Sequence, residues 1–110
     1  FPDRLLSLWE GGHPHALDLE TLETRGLDDL GELPALLPFS AHPKCDPVTG
    51  DVYNFGVSFG KSVILNLYCV DAKGKLKQRK SHPIGKFPLI HDFVMAGQYL
   101  LFFIAPVRLN

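Results

Sequence analysis

Five histidines are the chemical resource of this chain: His13, His15, His42, His82 and His91. Imidazole titrates closest to neutrality among the side chains, and its neutral form is the commonest protein ligand for metals. His13 and His15 flank Pro14 beside Gly11-Gly12, and a His-X-His pair can grip a metal when a third donor is at hand. No third donor is close in sequence, so both rings read as surface or capping residues with a structural rather than a metal-binding role. His82 precedes Pro83 beside the basic stretch Lys73–Lys80, where a solvated imidazole is expected. His42 and His91 differ. Each stands where an apolar, strand-like segment meets a loop, in Pro38-Phe39-Ser40-Ala41-His42-Pro43-Lys44 and in Leu89-Ile90-His91-Asp92-Phe93. They are 49 positions apart, close to the repeat of a propeller blade, roughly 40–50 residues. Residues one blade apart take equivalent places around a central axis, so two imidazoles would converge on it. Neutral imidazole suits iron, zinc, copper and nickel alike, and spacing does not choose among them.

The elements that must position these rings read as all-β. Arg4–Trp9 and His15–Leu19, joined through Gly11-Gly12, alternate as a hairpin. Glu20–Arg25 reads as a helical turn or a wide loop, and Asp28–Pro38, with Gly31, Pro34 and Pro38, as connection. Asp46-Pro47-Val48-Thr49-Gly50 is a turn with Pro at its second position and Gly at its end. Val52–Phe59 and Ser62–Val70 follow as strands rich in β-branched and aromatic residues. Asp71–Gly74 turns the chain, and Lys75–Lys80 alternates weakly, as a solvated edge does. Leu89–Met95 and Tyr99–Ala105 flank Ala96-Gly97-Gln98 as a second hairpin. Seven or eight short strands with turns every 8–12 residues or so are expected, with no helix. That pattern alone fits a sandwich, a barrel or a propeller.

Two motifs narrow the choice. The run from Pro38 to Gly56, with Ala41-His42-Pro43-Lys44, Asp46-Pro47, Thr49-Gly50-Asp51 and Asn54-Phe55-Gly56, resembles the "AHPK-DP-TGE-NFG" signature of the carotenoid cleavage oxygenases. That family includes apocarotenoid oxygenases, epoxycarotenoid dioxygenases, lignostilbene dioxygenases and the retinal pigment epithelium isomerase. His91-Asp92-Phe93 resembles its second signature, "HDF", followed by a strand that ends near Pro106. Leu8–Gly12 and Leu19–Thr24 fit the same family, so the resemblance spans nearly the whole chain. It implies a seven-bladed β-propeller with a non-haem Fe(2+) on its axis, bound by four histidines. His42 would be the first ligand and His91 the second. The chain would then be one fragment of about two blades, with residues 1–40 giving the first strands and connection and residues 41–110 the blades that carry both histidine motifs. The family also places glutamates behind some ligand histidines. Glu10, 32 positions before His42, matches the first of these, which orients the second ligand. A carboxylate on the far ring nitrogen fixes the tautomer and raises the basicity of the metal-bound nitrogen. Without the resemblance, Glu10 would read as a solvated turn carboxylate.

The implied reaction is oxidative scission of a conjugated C=C bond in an apolar polyene by O₂, giving two carbonyl products. Phe39, Tyr53, Phe55, Phe59, Phe93 and Phe103 would line a tunnel for such a substrate or, at strand spacing, fill the core. Two imidazoles alone do not define an iron site, so the isolated chain is expected to be inactive. The alternative is a non-catalytic β-rich module that retains the histidine motifs. A small cupin-like metal barrel is a third reading, for which His13-X-His15 gives only weak support.

Composition excludes other classes. Of 110 residues 45% are hydrophobic and 21% charged, as in an ordinary globular chain and unlike a disordered tail or a coiled coil. The formal net charge is −1, so no field of one sign would recruit nucleic acid. Cys45 and Cys69 lack a CxxC spacing and read as two reduced thiols in a cytoplasmic protein. The apolar stretches Val63–Val70 and Tyr99–Val107 are about half as long as a membrane-spanning helix requires, which leaves peripheral membrane contact as the expected mode, if any. A start at Phe1 without Met and an end at Asn110, just after an apolar run, are expected of an excerpt. A propeller cut open would expose strand edges and self-associate through them.

Overall fold

The computed structural model describes residues 1–85 and 88–106. Among them are eleven strands, all antiparallel where paired, and no helix. β1 (Leu5–Ser7), β2 (His15–Leu17) and β3 (Thr24–Leu27) form a three-stranded sheet. β4 (Lys44–Cys45), β5 (Val52–Ser58), β6 (Ile64–Val70) and β7 (Leu76–Pro83) form the largest sheet, in the order β4-β5-β6-β7. β8 (Pro88–Leu89) pairs with β11 (Ala105–Pro106), and β9 (Val94–Ala96) with β10 (Tyr99–Leu101).

Most of the expected strands are found, with three differences. Thr24–Leu27 is a strand rather than a loop: Asp18 accepts the backbone N–H groups of Glu20 and Thr21 and folds the chain back so that β3 can pair with β2. Leu89–Met95 is not one strand, because Ile90–Phe93 leaves the ladder between β8 and β9. The strand count is eleven among the described residues, since several two- and three-residue pairings are too short to carry a periodicity of their own. The end of the apolar stretch at Val107 lies outside the described residues.

The central strands of the four-stranded sheet, β5 and β6, are covered on both sides, whereas β7 is exposed along nearly its whole length. In the register of β5 with β6, Asn54, Gly56, Tyr68 and Val70 share one face, and Phe55, Leu65 and Leu67 share the other. On the first face Leu30, Leu33, Phe39, Tyr68 and Val70 form a core cluster with Leu6 and Leu8 from the three-stranded sheet region. On the second face Phe55, Leu65, Ile90 and Phe93 form another, with Phe102 against it. Both faces being buried, the central strands are apolar or amide-bearing at nearly every position rather than alternating with charge. No strand pairing among the described residues joins the stretch 88–106 to the four-stranded sheet. Side chains make that connection.

Turn chemistry closes the long hairpins. Asp46 accepts the Val48 N–H at 2.8 Å, and Gly50 donates to the Asp46 carbonyl at 2.8 Å. Asp71 does the same for Lys73 and Lys75. Gly74, at φ 87°, completes that turn in a backbone region that Gly alone enters freely. Arg4 reaches this turn from the first sheet, donating to the Gly74 carbonyl at 2.8 Å while paired with Asp28 at 2.5 Å.

Candidate metal centre

His42 is positioned from behind by the Asn54-Phe55-Gly56 motif. Asn54, fully buried, donates through Nδ2 to the Ser40 carbonyl at 2.7 Å and accepts the Ser40 hydroxyl at Oδ1. Ser40 N–H donates to the Phe55 carbonyl at 3.0 Å, and the Tyr68 hydroxyl donates to the Pro38 carbonyl at 3.0 Å. Burial pushes the Tyr68 phenol above its ordinary value, so it stays protonated as a donor. Gly56 is required for this approach, because a Cβ there would stand 2.0 Å from the Pro38 carbonyl oxygen. Phe39 stacks on Tyr68, ring centroids 5.9 Å apart. The segment that leads into His42 is thus fastened to the sheet by backbone and amide hydrogen bonds, each contributing about 1 kcal/mol.

His91 arrives from the other face. Its neighbours Ile90 and Phe93 are buried with Phe55 and Leu65, and Phe93 stacks on Phe102 at 5.1 Å. Asp92 Oδ1 accepts the Phe93 N–H at 2.8 Å and pairs with Lys44 Nζ at 2.8 Å. The Lys44 ammonium holds the Asp92 carboxyl below the usual carboxylate range, helped by the Phe93 N–H. Glu10 comes from the β1–β2 connection. Its Oε1 accepts the Ala41 N–H at 3.3 Å and lies 3.6 Å from His91 Nδ1.

The two histidines meet beside the edge strand β4. His42 Nε2 and His91 Nε2 are 2.9 Å apart, with the rings at 71°. Donor atoms of Glu10, His42 and His91 all lie within 4.8 Å of one another. Two nitrogens held at about 2.1 Å from one ion and at right angles are about 3.0 Å apart, so the observed spacing fits two adjacent ligands of a metal. The same spacing serves a hydrogen bond between two neutral rings when no ion is bound. Either way the Nε2 atoms face each other, and the His91 Nδ1 is the atom turned toward Glu10. The site is open: the His91 and Glu10 side chains are 70% and 42% exposed. A cleft of about 370 Å³ adjoins it, lined by His91 and Glu10 together with Phe55, Val57, Phe59 and Ile90.

The other histidines stay apart. His15 and His82 are exposed, as expected. His13 is not a surface residue: it is buried, and its Nε2–H donates to the Pro34 carbonyl at 2.9 Å, which pins the connection after β3. His13 is therefore structural, with its own hydrogen bond, and the His-X-His pair does not converge. Of the six aromatics, Phe39, Phe55 and Phe93 are core, Tyr53 is half-buried against the second core cluster, and Phe59 and Phe103 are exposed. Cys45 is exposed and Cys69 buried, both unpaired with each other. No helix among the described residues is long and apolar enough to cross a membrane. Sequence reasoning missed the Asn54–Ser40 clasp and the Lys44–Asp92 pair. The second had a visible signal, since opposite charges stand two residues after one histidine and one residue after the other.

Comparison with known proteins identifies relatives of the whole chain. The chain is 43% identical to the apocarotenoid-15,15'-oxygenase of Synechocystis over 98% of its own length and 24% of that relative. It is 39% identical to resveratrol cleavage oxygenase 1 of Aspergillus fumigatus, over 96% of this chain and 22% of the relative. Its backbone superposes on the crystal structure of cobalt-substituted Synechocystis ACO with a TM-score of 0.88 and 42% identity, covering 98% of this chain and 24% of that one. The chain thus spans about a quarter of the length of the relatives it matches. With the retinal pigment epithelial membrane protein family matched over residues 1–110, the chain belongs to that family.

Proposed function

We propose that this chain is the part of a non-haem Fe(II) oxygenase that contributes two metal ligands, His42 and His91, and the carboxylate behind the second, Glu10. The observation that carries the reading is the 2.9 Å approach of the two Nε2 atoms with Glu10 on the opposite ring nitrogen of His91. The fold is about two blades of a seven-bladed propeller, and two further histidines from the rest of the full-length protein complete the ligand set. Bound there, iron supplies O₂ activation for oxidative cleavage of a conjugated C=C bond into two carbonyl products. The chain's own residues do the positioning. Glu10 Oε1, 3.6 Å from His91 Nδ1, favours the proton on that nitrogen, which leaves the Nε2 lone pair for the metal. The Asn54–Ser40 clasp holds the backbone that presents His42. The apolar wall of Phe55, Val57 and Ile90 excludes water from one side of the site and suits an apolar polyene. Carotenoid, apocarotenoid or stilbene-like compounds are the substrate class, in keeping with the names of the relatives. We place the full-length protein in the cytoplasm with peripheral contact at a membrane surface, into which such apolar substrates partition.

The isolated chain is inactive on this reading, because two imidazoles leave the iron without a defined geometry. The test uses the full-length protein. Replacing His42 or His91 by Ala should lower bound iron to background by elemental analysis and abolish alkene cleavage followed by loss of polyene absorbance. Full iron content in either variant would remove that residue from the ligand set. Stoichiometric iron and turnover in the 110-residue chain alone would overturn its assignment as an incomplete site.

A further inference from the structure

We propose that Lys44 and Asp92 are positioning residues whose ion pair, seated on the Phe93 ring, sets the distance and angle at which His91 approaches His42. The inference rests on the metal-centre reading above and adds to it the device that holds its two halves in register. Lys44 follows His42 by two residues and Asp92 follows His91 by one. Their charged atoms are 2.8 Å apart, in the same neighbourhood where the two Nε2 atoms are 2.9 Å apart.

Both ends of this pair are anchored. Lys44 belongs to β4, whose backbone pairs with Tyr53 of β5, so the cation is tied to the four-stranded sheet. Asp92 uses the oxygen that meets Lys44 to accept the Phe93 N–H as well, at 2.8 Å, so its carboxylate is tied to the backbone beside His91. The Lys44 Nζ also lies 5.5 Å from the Phe93 ring centroid, and that ring is buried between Phe55 and Phe102. A cation over an aromatic face is attracted to it, which fixes Lys44 in a second direction.

The need for such a device follows from topology. No strand pairing among the described residues connects the stretch 88–106 to the sheet that carries His42. Apolar packing of Ile90 and Phe93 holds the stretch down but is weakly directional. A charge-assisted hydrogen bond is directional. With the Lys44 and Asp92 side chains 30% and 50% exposed, the pair adds little to global stability. Its effect is on orientation.

The experiment takes the full-length protein and its Lys44→Met, Lys44→Arg and Asp92→Asn variants, with His42→Ala as reference. Each is loaded with Co(II) alone, and the cobalt d–d spectrum and the rate of metal loss to a chelator are recorded beside the unfolding midpoint. Lys44→Met and Asp92→Asn should lose metal roughly 10–100-fold faster and show a shifted d–d band, with unfolding little changed. Lys44→Arg, which keeps a cation within reach of the carboxylate, should recover most of the retention. Wild-type retention and spectrum in both Lys44→Met and Asp92→Asn would overturn the proposal while His42→Ala still loses metal. Equal loss in Lys44→Arg and Lys44→Met would overturn the ion pair as the cause. If Lys44→Met fails to fold, the near-isosteric Asp92→Asn decides alone. A wild type that holds Co(II) no better than His42→Ala would take the metal-centre reading down, and this inference with it.

Discussion

β5–β6 and the stretch Leu89–Phe93 each present one histidine, by opposite means. β5 and β6 pair without a break over seven residues each, and buried amide and hydroxyl groups fasten the lead-in to His42 onto them. Leu89–Phe93 has no ladder of its own around His91. It is held by two buried apolar side chains, one ion pair and Glu10. The first arrangement is the more rigid, because an unbroken ladder and buried hydrogen bonds hold it. The second is the more adjustable, because around His91 it is held through side chains and by no ladder hydrogen bond. A metal site built from one rigid and one adjustable half can close around an ion without distorting its scaffold.

Removing the apolar anchor of the adjustable half should have the largest effect. Phe93→Ala empties a site that is 2% exposed, at a cost of about 3–5 kcal/mol. Hydrogen exchange in the full-length protein should then show protection lost across residues 88–104 and kept in β5–β6. Equal loss in both would mean that the two halves are one cooperative unit. Gly56→Ala attacks the rigid half, where the new methyl meets the Pro38 carbonyl at 2.0 Å. Overpacking against backbone should cost about 3 kcal/mol, read as a lower urea midpoint, and should displace His42 and reduce metal retention. Normal stability in that variant would show that the clasp is looser than its contacts indicate.

Glu10→Gln should separate orientation from folding. Metal affinity is expected to fall about 10–100-fold, with unfolding within about 0.5 kcal/mol of wild type. A metal titration with a competing chelator measures the first and urea unfolding the second. The smallest effect concerns the turn between β2 and β3. The Thr21 N–H, then Arg25 and the Glu20 N–H, hold the Asp18 carboxyl well below the usual carboxylate range. A depressed folded pKa means that Asp18 adds stability above its unfolded value, about 3.9, and loses that contribution as the pH falls below it. Asp18→Asn should therefore flatten the fall in melting temperature between about pH 5 and pH 2. A profile identical to wild type would assign the acid sensitivity elsewhere.

Much of the site was legible because metal chemistry restricts residue type. His42 and His91, in long motifs 49 positions apart, stood out from three histidines in plain turns and edges. Most strand positions were legible too, from β-branched and aromatic runs bounded by Asp, Pro and Gly. The Asn54-Phe55-Gly56 motif was visible as a pattern, but its purpose was not. Its partners, Pro38 and Ser40, are more than a dozen residues away, and only the folded register brings a carbonyl against a glycine with no Cβ. His13 was misread for the same reason. Nothing in His13-Pro14-His15 shows that the Pro34 carbonyl will come within 2.9 Å of one ring and leave the other in solvent.

By itself the sequence determined residue chemistry and local geometry: antiparallel strands, their turns, two histidines placed at strand ends, and a near-neutral chain without a helix-length apolar run. These depend on side-chain type and on neighbours a few positions away, which a linear reading contains. Tertiary structure alone decided that the two Nε2 atoms meet at 2.9 Å, that Glu10 stands beside His91 Nδ1, and that Lys44 reaches Asp92. Each of these distances joins segments tens of residues apart. They are fixed by how two faces of one sheet are covered, and burial on both faces is a property of the whole packing rather than of any one strand.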